Sequence, residues 1–172
     1  MATTVNPLTI EEAVVAFLLA DPDVSALAGR SIYPEVGTDV PGDFPRLTYE
    51  QIGKVDDSTL TLSTDQPVIH LAIHAWAQGA GQGGGHDAAK ALATAVRCAR
   101  GSNPLGSRLK EFSNAWMPSA AARTGAGAVW VKHCWLDDEM TAAAQKAIGG
   151  GKKWVRQVAS VFVLCFNENL YG

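Results

Sequence analysis

No apolar run in this chain approaches the ~18–20 residues that span a bilayer as a helix. The N-terminal stretch MATTVNPLTIEE lacks a basic region followed by an apolar core. Neither a membrane span nor a secretory signal peptide is expected. Cysteine is scarce: Cys98, Cys134 and Cys165 are odd in number, far apart and in no CxxC pattern. A disulfide framework is not expected, and the three read as small buried apolar residues in a reducing compartment. Charge is modest too, with 18% charged residues and a formal net charge of −3. A nucleic-acid binder needs a strongly basic face, which that balance argues against. There is no G-x-S-x-G motif, no P-loop and no cysteine–histidine pair with a family signature. No catalytic residue, cofactor site or metal site is expected.

What remains is an ordinary globular composition, 47% hydrophobic. The 172 residues are long enough for one domain, 1–172, with a real core; ~100–200 residues per domain is typical. The most strand-like run is Val68–Trp76, VIHLAIHAW. Its odd positions, Ile69, Leu71, Ile73 and Ala75, make a wholly apolar face. Its even positions, including His70, His74 and Trp76, make a mixed one.

Thr9 and Glu12 have the spacing of a capping box. Ile10, Val14, Phe17 and Leu18 then share one helical face, with Ala13 beside them. Asp21-Pro22 closes that helix and opens a short second one, with Val24, Leu27 and Ala28 as its apolar side and Gly29 as its exit. Residues 31–45 are rich in proline and glycine and read as mostly irregular. Leu47–Ile52 reads as a strand and Lys54–Pro67 as a loop, with a short extended piece at Thr59–Leu62. After the central strand come a glycine-rich loop, Gly79–Gly85, and a helix at Asp87–Arg100. Asp87 is its candidate cap, and Ala88, Leu92, Ala95, Val96 and Ala99 its packing face. Leu105–Phe112 suits a helical turn and Ala115–Gly127 an irregular segment.

Ala128–Leu136 alternates as a strand that ends at Asp137–Glu139. Thr141–Ile148 suits one or two helical turns. Trp154–Phe166 is a long final strand, antiparallel to the one before. No internal repeat is present. The order helix, strands, helix, strands is not a regular βαβ alternation. The expected class is α+β: a mainly antiparallel sheet of about four strands with two main helices packed on one face.

Several constellations suggest chemistry. Gly79-Ala80-Gly81-Gln82-Gly83-Gly84 is a literal G-x-G-x-x-G between a strand and a helix, as in dinucleotide sites. The acidic residue expected ~20 positions on is missing, and Asp87 at the helix start would repel a diphosphate. His70 and His74 share a strand face but lie ~13 Å apart at ~3.3 Å per residue, too far for one metal. His133 and Cys134 point to opposite faces, and His86 lies in the glycine loop. Asp56-Asp57 and Asp137-Asp138-Glu139 lack a calcium-loop spacing and read as solvated turns. Lys152, Lys153 and Arg156 form one small basic group beside Trp154.

The order of segments resembles a known family. FLLADPDVSALAGRSIYP, DFPRLTYEQIG, DDSTLTL, IHLAIHAWA and AAKALATAVRCA follow one another as in the tail completion, or tail terminator, proteins of long-tailed (siphovirus-like) bacteriophages and prophages. The positions that carry the likeness are Asp21-Pro22-Val24, Gly29-Arg30-Ile32-Tyr33-Pro34, Pro45 with Thr48-Tyr49, and Trp76-Ala77. They span roughly residues 10–100; the C-terminal part matches in layout. Thr141–Gly151 and the glycine loop look longer than the family's connections.

The resemblance implies a structural virion protein and not an enzyme. It implies a hexameric ring on the head-proximal end of the tail tube. Such a ring ends tube polymerisation, joins the tail to the head–tail connector or stopper protein, and lets DNA pass through its lumen without specific binding. A ring needs two different surfaces per subunit. The long loops Tyr33–Phe44, Gly79–Gly85 and Met140–Gly151 are the expected contacts, with Tyr33, Phe44, Gly81, Gly84, Met140, Ile148 and Trp154 as candidate interface residues. The alternatives are another neck or connector protein, or a small nucleotide-binding enzyme that uses Gly79–Gly84.

Overall fold

Both short N-terminal helices start at side-chain caps. In the computed structural model, Thr9 accepts from the Glu12 N–H at 3.2 Å, and the Glu12 carboxylate accepts from the Thr9 N–H at 2.8 Å. This capping box opens α1, Ile10–Leu19, which buries Ile10, Ala13, Val14, Phe17 and Leu18. Asp21 caps α2, Pro22–Ala28, whose exit at Gly29 has φ +58°. Of the expected apolar side, Val24 and Ala28 are buried while Leu27 stands 40% exposed. The structure describes residues 9–34, 44–56, 67–79, 85–118, 128–148 and 151–167, apart from the side chains of 54–56, 141–148, 151–154 and 167.

Among the described residues six strands form one sheet: β1 Ile32–Pro34, β2 Arg46–Asp56, β3 Pro67–Gly79, β4 Ser113–Met117, β5 Val129–Ile148 and β6 Gly151–Asn167. Their order across the sheet is β1-β2-β3-β6-β5-β4. Only β1–β2 is parallel. The expected class, α+β and mainly antiparallel, is what the chain adopts, with six strands in place of about four. The two extra strands are short edge pieces, β1 and β4, in segments read as irregular. They carry too few residues to show an alternation.

β3 sits between β2 and β6 and sets the layers. Ile69, Leu71, Ile73, Ala75 and Ala77 enter one apolar core with the buried residues of α1, α2 and α3, His86–Cys98. α3 lies across β3 and β6. From β6, Val158, Phe162, Leu164 and Phe166 join the same core. The Phe17 ring meets Phe112 edge to face at 5.4 Å.

Three sequence expectations need correction. First, α3 begins at His86, not Asp87. Gly85 at φ +79° is its N-cap, with no side-chain cap bond. Its buried residues are Ala89, Leu92, Ala93 and Val96, and Ala88 is exposed; a run so rich in alanine leaves the choice of face to packing. Second, Asp137–Glu139 does not end β5, and Thr141–Ile148 is not helical. Alanine favours a helix there, but pairing from Thr141↔Val158 to Ile148↔Gly151 keeps the segment extended. Third, β5 does not alternate strictly. Register shifts between Val131 and His133 and between Leu136 and Asp138 insert Lys132 and Asp137 as extra residues. The first shift turns Cys134 to the core beside Val131, although strict alternation puts them on opposite faces.

The helix layer is tied by one buried carboxylate. Asp21, 4% exposed, accepts from Asp23 N–H at 3.0 Å and Val24 N–H at 3.1 Å through one oxygen. Its other oxygen accepts from Arg100 N–H at 2.7 Å, past the end of α3. Replacing Asp21 by Ala strands three backbone donors. We expect a loss of about 2–3 kcal/mol, with a smaller loss for Asp21→Asn, which keeps one acceptor oxygen. Urea unfolding midpoints at unchanged m-value measure both.

Candidate assembly surfaces

With every described helix on one face of the sheet, the other face is helix-free among the described residues. Its centre is a ladder of cross-strand pairs. Trp76 donates its indole N–H to Thr48 Oγ1 at 2.8 Å. His74 Nε2 lies 3.1 Å from Glu50 Oε1, and its Nδ1 meets the Gln157 amide. The arrangement holds the imidazole between two strands. His70 shares this face and does not converge with His74. Among the described residues no group of three His, Cys, Asp or Glu is placed to hold a metal.

The helix-free face also gathers tryptophan. Trp76 pairs with Gln157, Trp116 with Trp130, and Trp135 with Val163, all at register positions on this side. Trp116 and Trp130 meet edge to face at 5.3 Å. These are aromatic groups of the type that dominate protein–protein contacts. The Arg46 guanidinium lies 4.7 Å from the Phe44 ring centroid and 5.9 Å from that of Trp76, a cation–π stack at the corner of the sheet.

The sequence-derived interface residues are scattered. Tyr33 sits in edge strand β1 opposite Thr48 and is half-buried. Phe44 is half-buried under Arg46. Met140 is 57% exposed, but on a strand and not in a loop. Ile148 ends β5 opposite Gly151, and Trp154 pairs with Gly79 and Gln145 within the sheet. Their side chains, together with Gly81, Gly84 and the Thr59–Leu62 piece, lie outside the described residues.

The acidic run is no solvated turn. Asp137 is a bulge residue, and Glu139 pairs with Arg97 of α3 at 2.6 Å. Both partners are 27% exposed, so this ion pair adds little stability by itself. It links α3 to β5.

Sequence reading missed Leu105, which is 92% exposed. Its loop is rigidly held: the Arg100 guanidinium donates to Pro104 O at 2.8 Å and to Gly106 O at 3.2 Å, and Leu105 N–H donates to the Asn103 side chain at 3.1 Å. An open cleft of about 670 Å³ adjoins this loop, lined by Asp21, Asp23, Cys98, Arg100 and Arg108 among others. A hydrophobic residue between Pro104 and Gly106 was the available signal.

The family model of the tail completion protein gp17 matches residues 12–124. The chain belongs to the tail completion gp17 family. It is thereby a structural protein of the phage tail and not an enzyme. The dinucleotide reading of Gly79–Gly84 is set aside on that ground. A chain of the virion of a native gene transfer agent particle is 20% identical over 91% of this chain and 93% of that one, with a TM-score of 0.56. At that identity the likeness shows the shared fold. Among curated proteins none matches.

Within this tail completion protein the thiols differ. Cys134 is buried, and burial pushes its thiol far above the ordinary range, so it stays protonated. Cys98 and Cys165 are half-buried. A thiol reagent at about pH 8 should label Cys98 and Cys165 and reach Cys134 only on unfolding. The unfolded thiol ionises above ~8.5 while the folded one keeps its proton. Stability from this group is therefore full below that pH and declines above it. Mass-spectrometric site mapping before and after urea reads the labelling.

Proposed function

We propose that this protein is the tail terminator of a long-tailed phage or phage-like particle. In this reading it is one domain that assembles as a hexameric ring on the head-proximal end of the tail tube. The ring stops tube growth and offers its far side to the head–tail connector or stopper protein. The observation that carries the reading is membership of the tail completion family over residues 12–124. The fold shared with a chain of a gene transfer agent virion supports it.

Surface chemistry supports assembly as well. Ile52, Leu105, Trp135 and Met140 are 52%, 92%, 43% and 57% exposed. Large apolar groups held in water on strands and on a stapled loop suit contacts made in a larger body. A ring with heterologous contacts needs two unlike patches per copy, and these residues are spread over several elements. The formal net charge of −3 leaves little attraction for DNA moving through the lumen.

The test is mass and shape together. Light scattering should give about six times the 18.1 kDa of one chain, with rings in negative-stain images of the same sample. Added to tail tubes polymerising in vitro, the protein should shorten the tubes in proportion to dose and appear at one end only. Tubes of unchanged length with the protein bound along their sides would refute the terminator role.

A further inference from the structure

Among the described residues the sheet leaves two strand edges open, and they lie at opposite corners. On β5, β4 covers the first part only, from Met117↔Val129 to Ser113↔His133. From Trp135 to Ile148, β5 has β6 on one side and, among the described residues, no strand on the other. On β2, β1 covers Leu47–Tyr49. From Glu50 to Asp56, β2 has β3 on one side and no described strand outside it. An unpaired edge is a row of backbone donors and acceptors ready to take another strand.

Two further observations point to a partner. Among the described residues, three of the five exposed large apolar side chains, Ile52, Trp135 and Met140, belong to these two edge strands. The strand directions also match. β2 opposes β3, β3 opposes β6 and β6 opposes β5, so β2 and β5 run in opposite senses within one copy. When neighbouring copies keep the same up and down, the β5 edge of one meets the β2 edge of the next in antiparallel sense, the readily formed pairing.

The diagonal offset has a geometric meaning. Through the ladders, Trp135 lies level with Val163, His70 and Gly53, and Met140 level with Ala159, His74 and Thr48. Open β5 therefore runs upward from the level at which open β2 runs downward. Bringing them together shifts each copy along the strands by about four to seven residues, ~13–23 Å at ~3.3 Å per residue. Four strands at ~4.8 Å make each copy ~19 Å wide. The implied strand tilt, ~35–50°, overlaps the ~35–45° of closed barrels. The bulges at Ile52 and Asp137 add the twist that such closure needs.

The geometry points to a head-to-tail junction between copies: the open β5 edge of one subunit pairs with the open β2 edge of the next, so that one sheet runs around the ring. This rests on the self-assembly proposed above and names the surface that performs it. The partner is a second copy of this chain.

Blocking one edge at a time tests it. Lysine on an edge strand prevents pairing, so Ile52→Lys closes the β2 edge and Met140→Lys closes the β5 edge. Both sites are exposed, and circular dichroism and urea midpoints check that the variants fold. The parent chain should form rings, and each variant alone should lose them at least tenfold. Mixed one to one, the two variants should form a discrete heterodimer through their remaining good edges. A short bis-maleimide should give a ladder of oligomers from an Ile52→Cys, Met140→Cys double variant beyond that of the parent chain.

Rings of the parent chain that persist in both lysine variants would overturn the junction and leave the ring reading standing. Loss of tube binding in Met140→Lys with rings intact would reassign the β5 edge to the tube and overturn it likewise. A parent chain that is monomeric and gives no extra ladder as the double variant would overturn both. A monomeric parent whose double variant does give the ladder supports the junction and counts against a stable free ring.

Discussion

Register between β3 and β6 is the constraint on which the rest of this structure depends. Twelve pairs, from Val68↔Cys165 to Gly79↔Trp154, join the two strands without a shift. Side chains alternate faces at each step, so this run fixes one apolar face at Ile69, Leu71 and Ile73 together with Phe162 and Leu164. A slip of one residue would carry all of them to the side that holds His70, His74 and Trp76. The helices have one place to pack as a result. Bulges are confined to β2 and β5, outside that central pair. The sheet bends at its flanks and stays regular at its centre.

Function follows from the same asymmetry. A sheet with helices on both faces and capped edges would be a closed object. This one spends its three described helices on a single side. The other side keeps its tryptophans and its His74–Glu50–Gln157 ladder. The polar side chains of that ladder bond to one another across β2, β3 and β6. Among the described residues the histidines and acids are spread along strands and do not converge on one site.

The strongly patterned parts were legible in the sequence. Thr9 with Glu12, Asp21 with Pro22, and the alternation of VIHLAIHAW and of Trp154–Phe166 each follow from a local rule that tertiary packing does not disturb. The illegible parts are those where the partner decides. Thr141–Ile148 has a helical composition and becomes strand because β6 lies beside it. Lys132 and Asp137 each add one residue to β5, and no alternation pattern announces an insertion. Tyr33 and Asn114 belong to strands too short to show a period. Sequence alone points to loops for interface residues, because loops carry contacts. Met140 turned out to stand on an open strand, where neighbouring strands and not the residue itself determine exposure. Leu105 escaped because a lone leucine in a turn has no periodicity to betray it.

The order of strands also bears on synthesis. β6 follows every other strand along the chain, yet it lies in the middle of the sheet, between β3 and β5. Before Gly151–Asn167 is made, β1-β2-β3 and β5-β4 lack the strand that pairs with both, and the core lacks Val158, Phe162, Leu164 and Phe166. The topology thus makes pairing at the centre of the described sheet the last that a growing chain can complete.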